Sequence, residues 1–115
     1  MQRGEVWWAN FPKPVGQRPV VLVSRNRAIQ VRRFVTVVEV TTTIREIPVE
    51  VPLGPEDGLP KRCVANCDVL NTVPQAILIQ RVCILSPAKL HAVNAALRFA
   101  LDLESLLPRC ATLAA

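Results

Sequence analysis

The chain has 115 residues, half of them hydrophobic and a fifth charged, which excludes extensive disorder and fits one globular domain. Its apolar runs are far shorter than the roughly 20 residues of a membrane span, and no amino-terminal signal pattern is present, so we expect a cytoplasmic protein without membrane association. The net charge of +5 is concentrated in residues 1–45, where six arginines occur from Arg18 to Arg45. This asymmetry favours an anionic partner, most commonly nucleic acid.

The amino-terminal half is predicted to form three strands. In the first, from Glu5 to Phe11, Trp7 and Trp8 point to opposite faces, so one is expected in the core and the other is available to stack on a base. The second strand, from Val20 to Val23, is a continuous apolar run typical of a strand buried on both faces. The third, from Phe34 to Thr43, is the longest strand candidate.

The connector between the second and third strands, from Arg25 to Arg33, is strongly basic. It is either a solvated loop or a segment that follows a phosphate backbone. We therefore include Arg25 and Arg27 among the candidate nucleic-acid-binding residues.

The second half begins with an alternating segment from Ile47 to Leu53, whose two prolines predict an edge strand. A turn at 54–60 leads to a strand from Lys61 to Leu70. A second turn at 71–74 leads to a last strand from Ile77 to Leu85.

A helix is predicted next. Ser86 is a favourable N-cap and Pro87 a favourable first helical residue, and apolar residues at helical spacing continue the pattern to about Glu104. His91 falls on the polar side, so we interpret it as a surface residue and not as a catalytic base. The elements predict a mainly β fold: a small curled barrel of five to six strands with a C-terminal helix. We expect a single domain over 1–115, with its core at about 3–104 and a tail at 105–115.

The cysteines do not form a metal-binding pattern. The spacing of Cys63 and Cys67 fits no common zinc motif, and His91 alone cannot complete one. Cys63, Cys67 and Cys83 lie in apolar runs, so we expect buried, reduced thiols and neither a metal nor a cofactor; the fourth cysteine is Cys110.

Two strand ends combine cations with hydroxyl groups. Arg18 precedes Pro19, which biases its backbone toward an extended conformation, and its guanidinium can bind a phosphate in two places. Thr41 ends the third strand, with Glu39 on the same strand face, and Arg45 supplies a further cation. A threonine hydroxyl beside Arg18 would complete an anion site.

The ordered motifs resemble the MazF/PemK family of toxins from bacterial toxin–antitoxin systems over roughly residues 3–103. They are Arg3-Gly4-Glu5-Val6-Trp7-Trp8, Arg18-Pro19-Val20-Val21-Leu22-Val23-Ser24, Val40-Thr41-Thr42, Pro48-Val49-Glu50-Val51-Pro52-Leu53, Asp68-Val69-Leu70-Asn71-Thr72-Val73, Leu85-Ser86-Pro87 and Leu101-Asp102-Leu103. The resemblance implies an SH3-like barrel, a homodimer, and a metal-free endoribonuclease that cuts single-stranded RNA. It also implies a cognate antitoxin whose disordered, acidic segment folds over the toxin.

The resemblance assigns the chemistry to Arg18 and Thr41, with Thr42 as a weaker candidate. Glu39 is a possible base, although the identity of the base stays open. The remaining candidate RNA-binding residues are Trp8, Gln17, Arg45, Asn66, Asp68 and Asn71.

Two departures from the family pattern bear on specificity. The loop from Pro12 to Gln17 is short, so we expect a reduced cover over the site. Many members have glutamine after the acidic residue that Asp68 matches, whereas this chain has Val69, and the loss of a polar base reader would change which sequence is cut.

Two other functions stay open. A non-enzymatic toxin of the same architecture that blocks a protein such as DNA gyrase would not need Arg18 or Thr41. A basic RNA-binding barrel without catalysis would bind RNA in a salt-sensitive way and release no product.

Overall fold

The computed structural model describes residues 1–103, which form six strands and two α-helices. The strands are β1 (Glu5–Asn10), β2 (Gln17–Leu22), β3 (Phe34–Thr41), β4 (Glu50–Leu53), β5 (Cys63–Pro74) and β6 (Leu78–Ile84). The helices are α1 (Asn26–Val31) and α2 (Pro87–Leu101), and short 3-10 helices cover Pro55–Asp57 and Gln75–Ile77. All strand pairs are antiparallel, in the order β4-β5-β3-β2-β1-β6. This curled sheet with its C-terminal helix confirms the predicted mainly β fold, and β4 is an edge strand as predicted.

The sheet is buried on both faces. One face packs against α2, and we call this cluster the α2 core; its buried members include Val6, Val21, Val38, Val40, Cys67, Val93 and Ala96. The other face packs against α1 and forms the α1 core, which contains Ala9, Val20, Leu22, Ile29, Val35, Val37, Val73 and Leu78. Successive residues of β2 therefore enter opposite cores, which confirms that this apolar run is a strand buried on both faces.

The two tryptophans of β1 lie on opposite faces, as the alternation predicts. Trp7 packs against the α1 core, and its indole nitrogen donates a hydrogen bond to Oε1 of Glu5 at 2.8 Å. Trp8 instead lines a surface pocket with Thr41 and Leu59. Only Trp7 is thus committed to a core cluster.

The predicted turn at 71–74 is wrong, because these residues continue β5. Asn71 pairs with Val37 and Pro74 with Phe34, while Val73 is buried in the α1 core. Strand pairing and burial outweigh the local turn preference of this segment. The longest strand is therefore β5, with 12 residues, and not β3, which has 8 and ends at Thr41 instead of Thr43.

A large irregularity divides β5. Val38 is opposite Leu70, whereas the next residue, Glu39, is opposite Asn66. Residues 67–69 are therefore extra residues on β5, and we call them the β5 bulge. Such a bulge bends a strand and redirects its side chains.

The basic connector is not a loop throughout, since it contains α1. Ala28 and Ile29 are buried there, while Arg25 and Arg27 remain exposed. Burial of Ala28 and Ile29 against the sheet explains why a short helix forms here, although the arginine-rich sequence did not indicate one.

The start of α2 agrees with prediction, because Oγ of Ser86 accepts a hydrogen bond from the Lys89 amide at 3.2 Å and Pro87 is the first helical residue. His91 is exposed, as predicted. The helix ends at Leu101, followed by Asp102 with φ of 55°, a left-handed cap. The predicted helix end at Glu104, the tail and Cys110 lie outside the described residues. Neither described helix has the length and apolar character needed to cross a membrane.

Candidate active site

Arg18, Thr41 and Thr43 form a ridge between two pockets, and we call these three residues the ridge. The first, the aromatic pocket, has a volume of about 360 Å³ and is also lined by Trp8, Gln17, Pro19, Val40, Thr42, Leu59, Pro60, Lys61 and Cys63. The second, the polar pocket, has a volume of about 280 Å³ and is also lined by Glu39, Arg45, Asn66 and Val69. The ridge therefore places one arginine and two threonines at the boundary of both pockets.

Arg18 is held near the start of β2, opposite Ala9 of β1. Its side chain is 41% exposed, and Nη1 lies 4.0 Å from Oε1 of Glu39. This contact is long enough, and open enough to solvent, for the guanidinium to keep donors available to an anion. Arg18 is thus positioned by the sheet and accessible from both pockets.

Glu39 is fixed from two sides. Its Oε1 faces Arg18, and its Oε2 accepts a hydrogen bond from the amide nitrogen of Asn71. The side chain is only 18% exposed. A carboxylate engaged in this way is oriented by its neighbours before any ligand arrives.

Thr41 lies two residues after Glu39, and both side chains line the polar pocket, as their shared strand face predicts. Oγ1 of Thr41 accepts a hydrogen bond from the Thr43 amide at 3.2 Å. Because this bond uses a lone pair, the hydroxyl proton of Thr41 is still available to an anion.

Asn66 lies in the sheet between two glutamates, opposite Glu39 on β3 and Glu50 on β4. It is largely buried, and its Oδ1 accepts a hydrogen bond from the Asp68 amide at 3.0 Å. This bond orients the side chain, and within residues 1–103 it is the only hydrogen bond that the Asn66 side chain makes.

Glu50 stabilises the site through hydrogen bonds to the backbone, a role that the sequence analysis did not predict. Its Oε1 accepts hydrogen bonds from the backbone amides of Arg45 at 2.8 Å and Glu46 at 3.0 Å. Glu50 thereby fixes the segment that carries Thr43 and Arg45 to the polar pocket. The available signal was alternation: Glu50 lies between Val49 and Val51, so it must face away from the core that buries them.

The structure brings together most of the predicted site residues. Arg18, Thr41, Glu39, Asn66 and Arg45 meet at the polar pocket, while Trp8, Gln17 and Thr42 line the aromatic pocket. Asn71 reaches the site through Glu39.

Four predicted RNA-binding residues are not among those that line either pocket: Asn71, which contacts Glu39, and Arg25, Arg27 and Asp68. Arg25 lines a separate cavity beside α1, and Arg27 is exposed on that helix. Asp68 is exposed on the β5 bulge. Conversely, the segment from Leu59 to Lys61 forms one wall of the aromatic pocket, although its sequence indicated only a turn and the start of a strand.

The three described cysteines are free, with Cys63 and Cys67 buried and Cys83 partly buried, in agreement with the predicted reduced thiols. Burial, reinforced by Asp57, raises the pKa of the Cys63 thiol that lines the aromatic pocket. Burial, with a contribution from Asp68, raises the pKa of Cys67 to about 11. At neutral pH these thiols are protonated and therefore poor nucleophiles. No group of three histidine, cysteine or acidic residues that could hold a metal ion occurs within residues 1–103.

Comparison with known proteins places this geometry in context. The family model described as "PemK-like, MazF-like toxin of type II toxin-antitoxin system" matches residues 2–101. The probable endoribonuclease MazF5 of Mycobacterium tuberculosis is 41% identical over 101 residues, which cover 87% of this chain and 92% of the relative.

Two solved structures of toxins or endoribonucleases are also similar to this chain. A mycobacterial endoribonuclease in complex with its cognate antitoxin has a TM-score of 0.82 and 32% identity, covering 92% of this chain and 99% of that one. The toxin MazF-mt6 of Mycobacterium tuberculosis has a TM-score of 0.80 and 29% identity, covering 88% and 99%.

Proposed function

The chain belongs to the PemK-like, MazF-like family of toxins from type II toxin–antitoxin systems, and we propose that it is an endoribonuclease that cuts single-stranded RNA without a metal ion. The observation that carries the proposal is the ridge, where Arg18 and Thr41 meet between two pockets. A phosphate on this ridge would have one nucleotide on either side of it, each with a pocket to enter.

The reaction uses the nucleophile that RNA itself carries. The 2′-OH attacks the adjacent phosphorus, the bond to the 5′ oxygen of the next nucleotide breaks, and a 2′,3′-cyclic phosphate and a 5′-OH result. The protein has to align the attack and stabilise the negative charge that builds up on the phosphorus oxygens.

Arg18 performs the charge stabilisation in this proposal. Its guanidinium is permanently charged at neutral pH and presents a planar fork of donors that matches two phosphate oxygens. The hydroxyl of Thr41 donates to a nonbridging oxygen on the same ridge, and Thr42 contributes a hydroxyl from the aromatic pocket.

Glu39 supports Arg18 by position. Because its two oxygens are directed to Arg18 and Asn71, we assign it to orientation and binding instead of removal of the 2′-OH proton.

As a member of a toxin family, the protein would act in the cytoplasm, where cleavage of mRNA stops translation and growth. We propose that a cognate antitoxin restrains it through an acidic segment that lies on Arg18 and Arg45, the positions that RNA phosphates would otherwise occupy. RNA and antitoxin then compete for one surface.

We also propose that the protein is a homodimer. Phe99 and Leu101 on α2 are 64% and 50% exposed. Apolar side chains of this size on a small protein are favourably buried against a second copy.

The decisive experiment is cleavage of a long single-stranded RNA in excess EDTA, followed by mapping of the cut ends. Wild type should produce discrete cuts with 5′-OH ends, and Arg18→Ala should be slower by about 10²–10³-fold, as when one donor to a developing charge is removed. Arg33→Ala, which removes an exposed arginine from the cavity beside α1, is the matched control and should cut like wild type.

The outcomes separate the alternative functions. A folded Arg18→Ala variant that retains full activity would refute the assignment of Arg18. A folded wild type that binds RNA without cutting it would leave a basic RNA-binding barrel. Neither binding nor cutting would favour a toxin that blocks a protein target.

A further inference from the structure

We infer that the polar pocket reads a guanine base directly beside the cleaved phosphate, with Glu39 and Asn66 as the specificity-determining residues. The inference rests on the proposed RNA cleavage and adds to it the identity of one base. Its basis is the pairing of a fixed carboxylate with a fixed amide in a pocket that shares the ridge with the cleavage site.

The chemistry of the pair selects among the four bases. The Watson–Crick edge of guanine presents two adjacent donors, N1–H and the N2 amino group, next to the O6 acceptor. A carboxylate has two lone pairs on each oxygen, so Glu39 can accept both donors in addition to the hydrogen bond from Asn71, and an amide nitrogen donates to O6. Uracil and cytosine present only one donor each on this edge, and their carbonyl oxygens would face the acceptor-only carboxylate. Adenine has no second donor for it.

The sheet sets Glu39 and Asn66 side by side. They are direct cross-strand partners on β3 and β5, so their side chains emerge on one face with Cβ atoms about 5 Å apart. Both line the polar pocket. Their separation therefore suits contact with neighbouring groups on one edge of one base.

Both side chains are also oriented in advance. Asn71 donates to one oxygen of Glu39, and Oδ1 of Asn66 accepts from the Asp68 amide, which leaves the Asn66 amide nitrogen as a donor for the pocket. Asn66 is only 6% exposed. A fixed donor whose partner arrives with the ligand favours bases that supply that partner.

The surroundings fit a nucleotide. Arg18 and Arg45 line the same pocket and would hold the phosphates on either side of the base, while Val69, 39% exposed, offers an apolar surface to its plane. The aromatic pocket differs, because stacking on Trp8 accepts any base.

The test compares RNA oligonucleotides that differ at one base. Cut sites of wild type are first mapped on a long RNA, and one oligonucleotide is then made with guanine or inosine beside the cut. Inosine lacks only the N2 amino group, so it removes one hydrogen bond to Glu39 and keeps O6 and N1–H. Wild type should cut the guanine substrate about 10- to 100-fold more efficiently, by kcat/KM, than the inosine substrate.

Glu39→Gln should abolish this discrimination, because glutamine cannot accept both donors. Glu56→Gln, which removes an exposed carboxylate from outside both pockets, is the matched control and should discriminate like wild type. A structural or base-catalytic role for Glu39 would instead lower the rates on guanine and inosine substrates equally.

Three results would overturn the inference. Wild-type cuts without guanine beside them would refute base reading while leaving RNA cleavage intact. Equal cleavage of guanine and inosine substrates would refute the role of the N2 amino group. Absence of any cleavage by folded wild type would remove the proposed function and this inference with it.

Discussion

Trp7 and Trp8 are adjacent in β1, yet their removal should have opposite consequences. Trp7 packs against the α1 core and donates to Glu5, so Trp7→Ala creates a cavity and removes a hydrogen bond. Because Trp7 is only partly buried, we expect the free energy of unfolding to fall by about 3 kcal/mol, at the lower end for large aromatic truncations. For a domain of this size that corresponds to a decrease in Tm of roughly 10 °C.

Trp8→Ala removes a wall of the aromatic pocket instead. Stacking of one base on an aromatic side chain contributes about 1–3 kcal/mol, so RNA affinity should fall by about 5- to 150-fold while the free energy of unfolding changes by less than about 1 kcal/mol. The assays are thermal unfolding by circular dichroism and anisotropy of a labelled oligonucleotide with a 2′-O-methyl block against cleavage. If Trp8→Ala lowers Tm as much as Trp7→Ala and leaves RNA affinity unchanged, Trp8 is a packing residue and the assignment of the two faces to core and ligand is refuted.

Two further predictions concern stability. Gly58 has φ of +101°, and a Cβ there would lie 2.7 Å from Cβ of Cys83, so Gly58→Ala should lower the free energy of unfolding by about 2–4 kcal/mol. Gly16→Ala, with φ of +69° and no atom within 4 Å, should cost about 1 kcal/mol, and equal losses in urea titrations would contradict the proposed clash. The pKa of the Cys67 thiol is raised to about 11 in the folded state. The folded state therefore keeps a proton that the unfolded state releases near pH 9, so the free energy of unfolding should fall as pH rises between about 9 and 11. Wild type should lose on the order of 2 kcal/mol more than Cys67→Ala over this range, and parallel pH profiles of the two proteins would exclude a contribution from this thiol.

The sequence predicted what local patterns encode directly. The continuous apolar run of β2, the alternation of Trp7 and Trp8, and the Ser86 cap of α2 each depend on a few neighbouring residues, and the structure contains all three. The residues alone indicated a candidate anion site made by Arg18 and a threonine at a second strand end, and the family resemblance assigned the chemistry to Arg18 and Thr41.

The errors arose where long-range pairing decides the outcome. Residues 71–74 are of types that favour a turn, but they pair with β3. Helix α1 forms because Ala28 and Ile29 are buried against the sheet. The partnership of Glu39 with Asn66 depends on a shift of strand register that no spacing in the sequence reveals.

That register shift has a consequence for how the protein can change. The β5 bulge absorbs three residues between the pairs Val38–Leu70 and Glu39–Asn66, so the ladder on each side is complete without it. Cys67 anchors the bulge in the α2 core, but Asp68 and Val69 are exposed beside the polar pocket. Substitutions at these two positions would reshape the pocket without touching the packed interior. Substitutions at Asp68 and Val69 can therefore change the target sequence of the toxin without destabilising its fold. The same two positions are suitable for engineering its specificity.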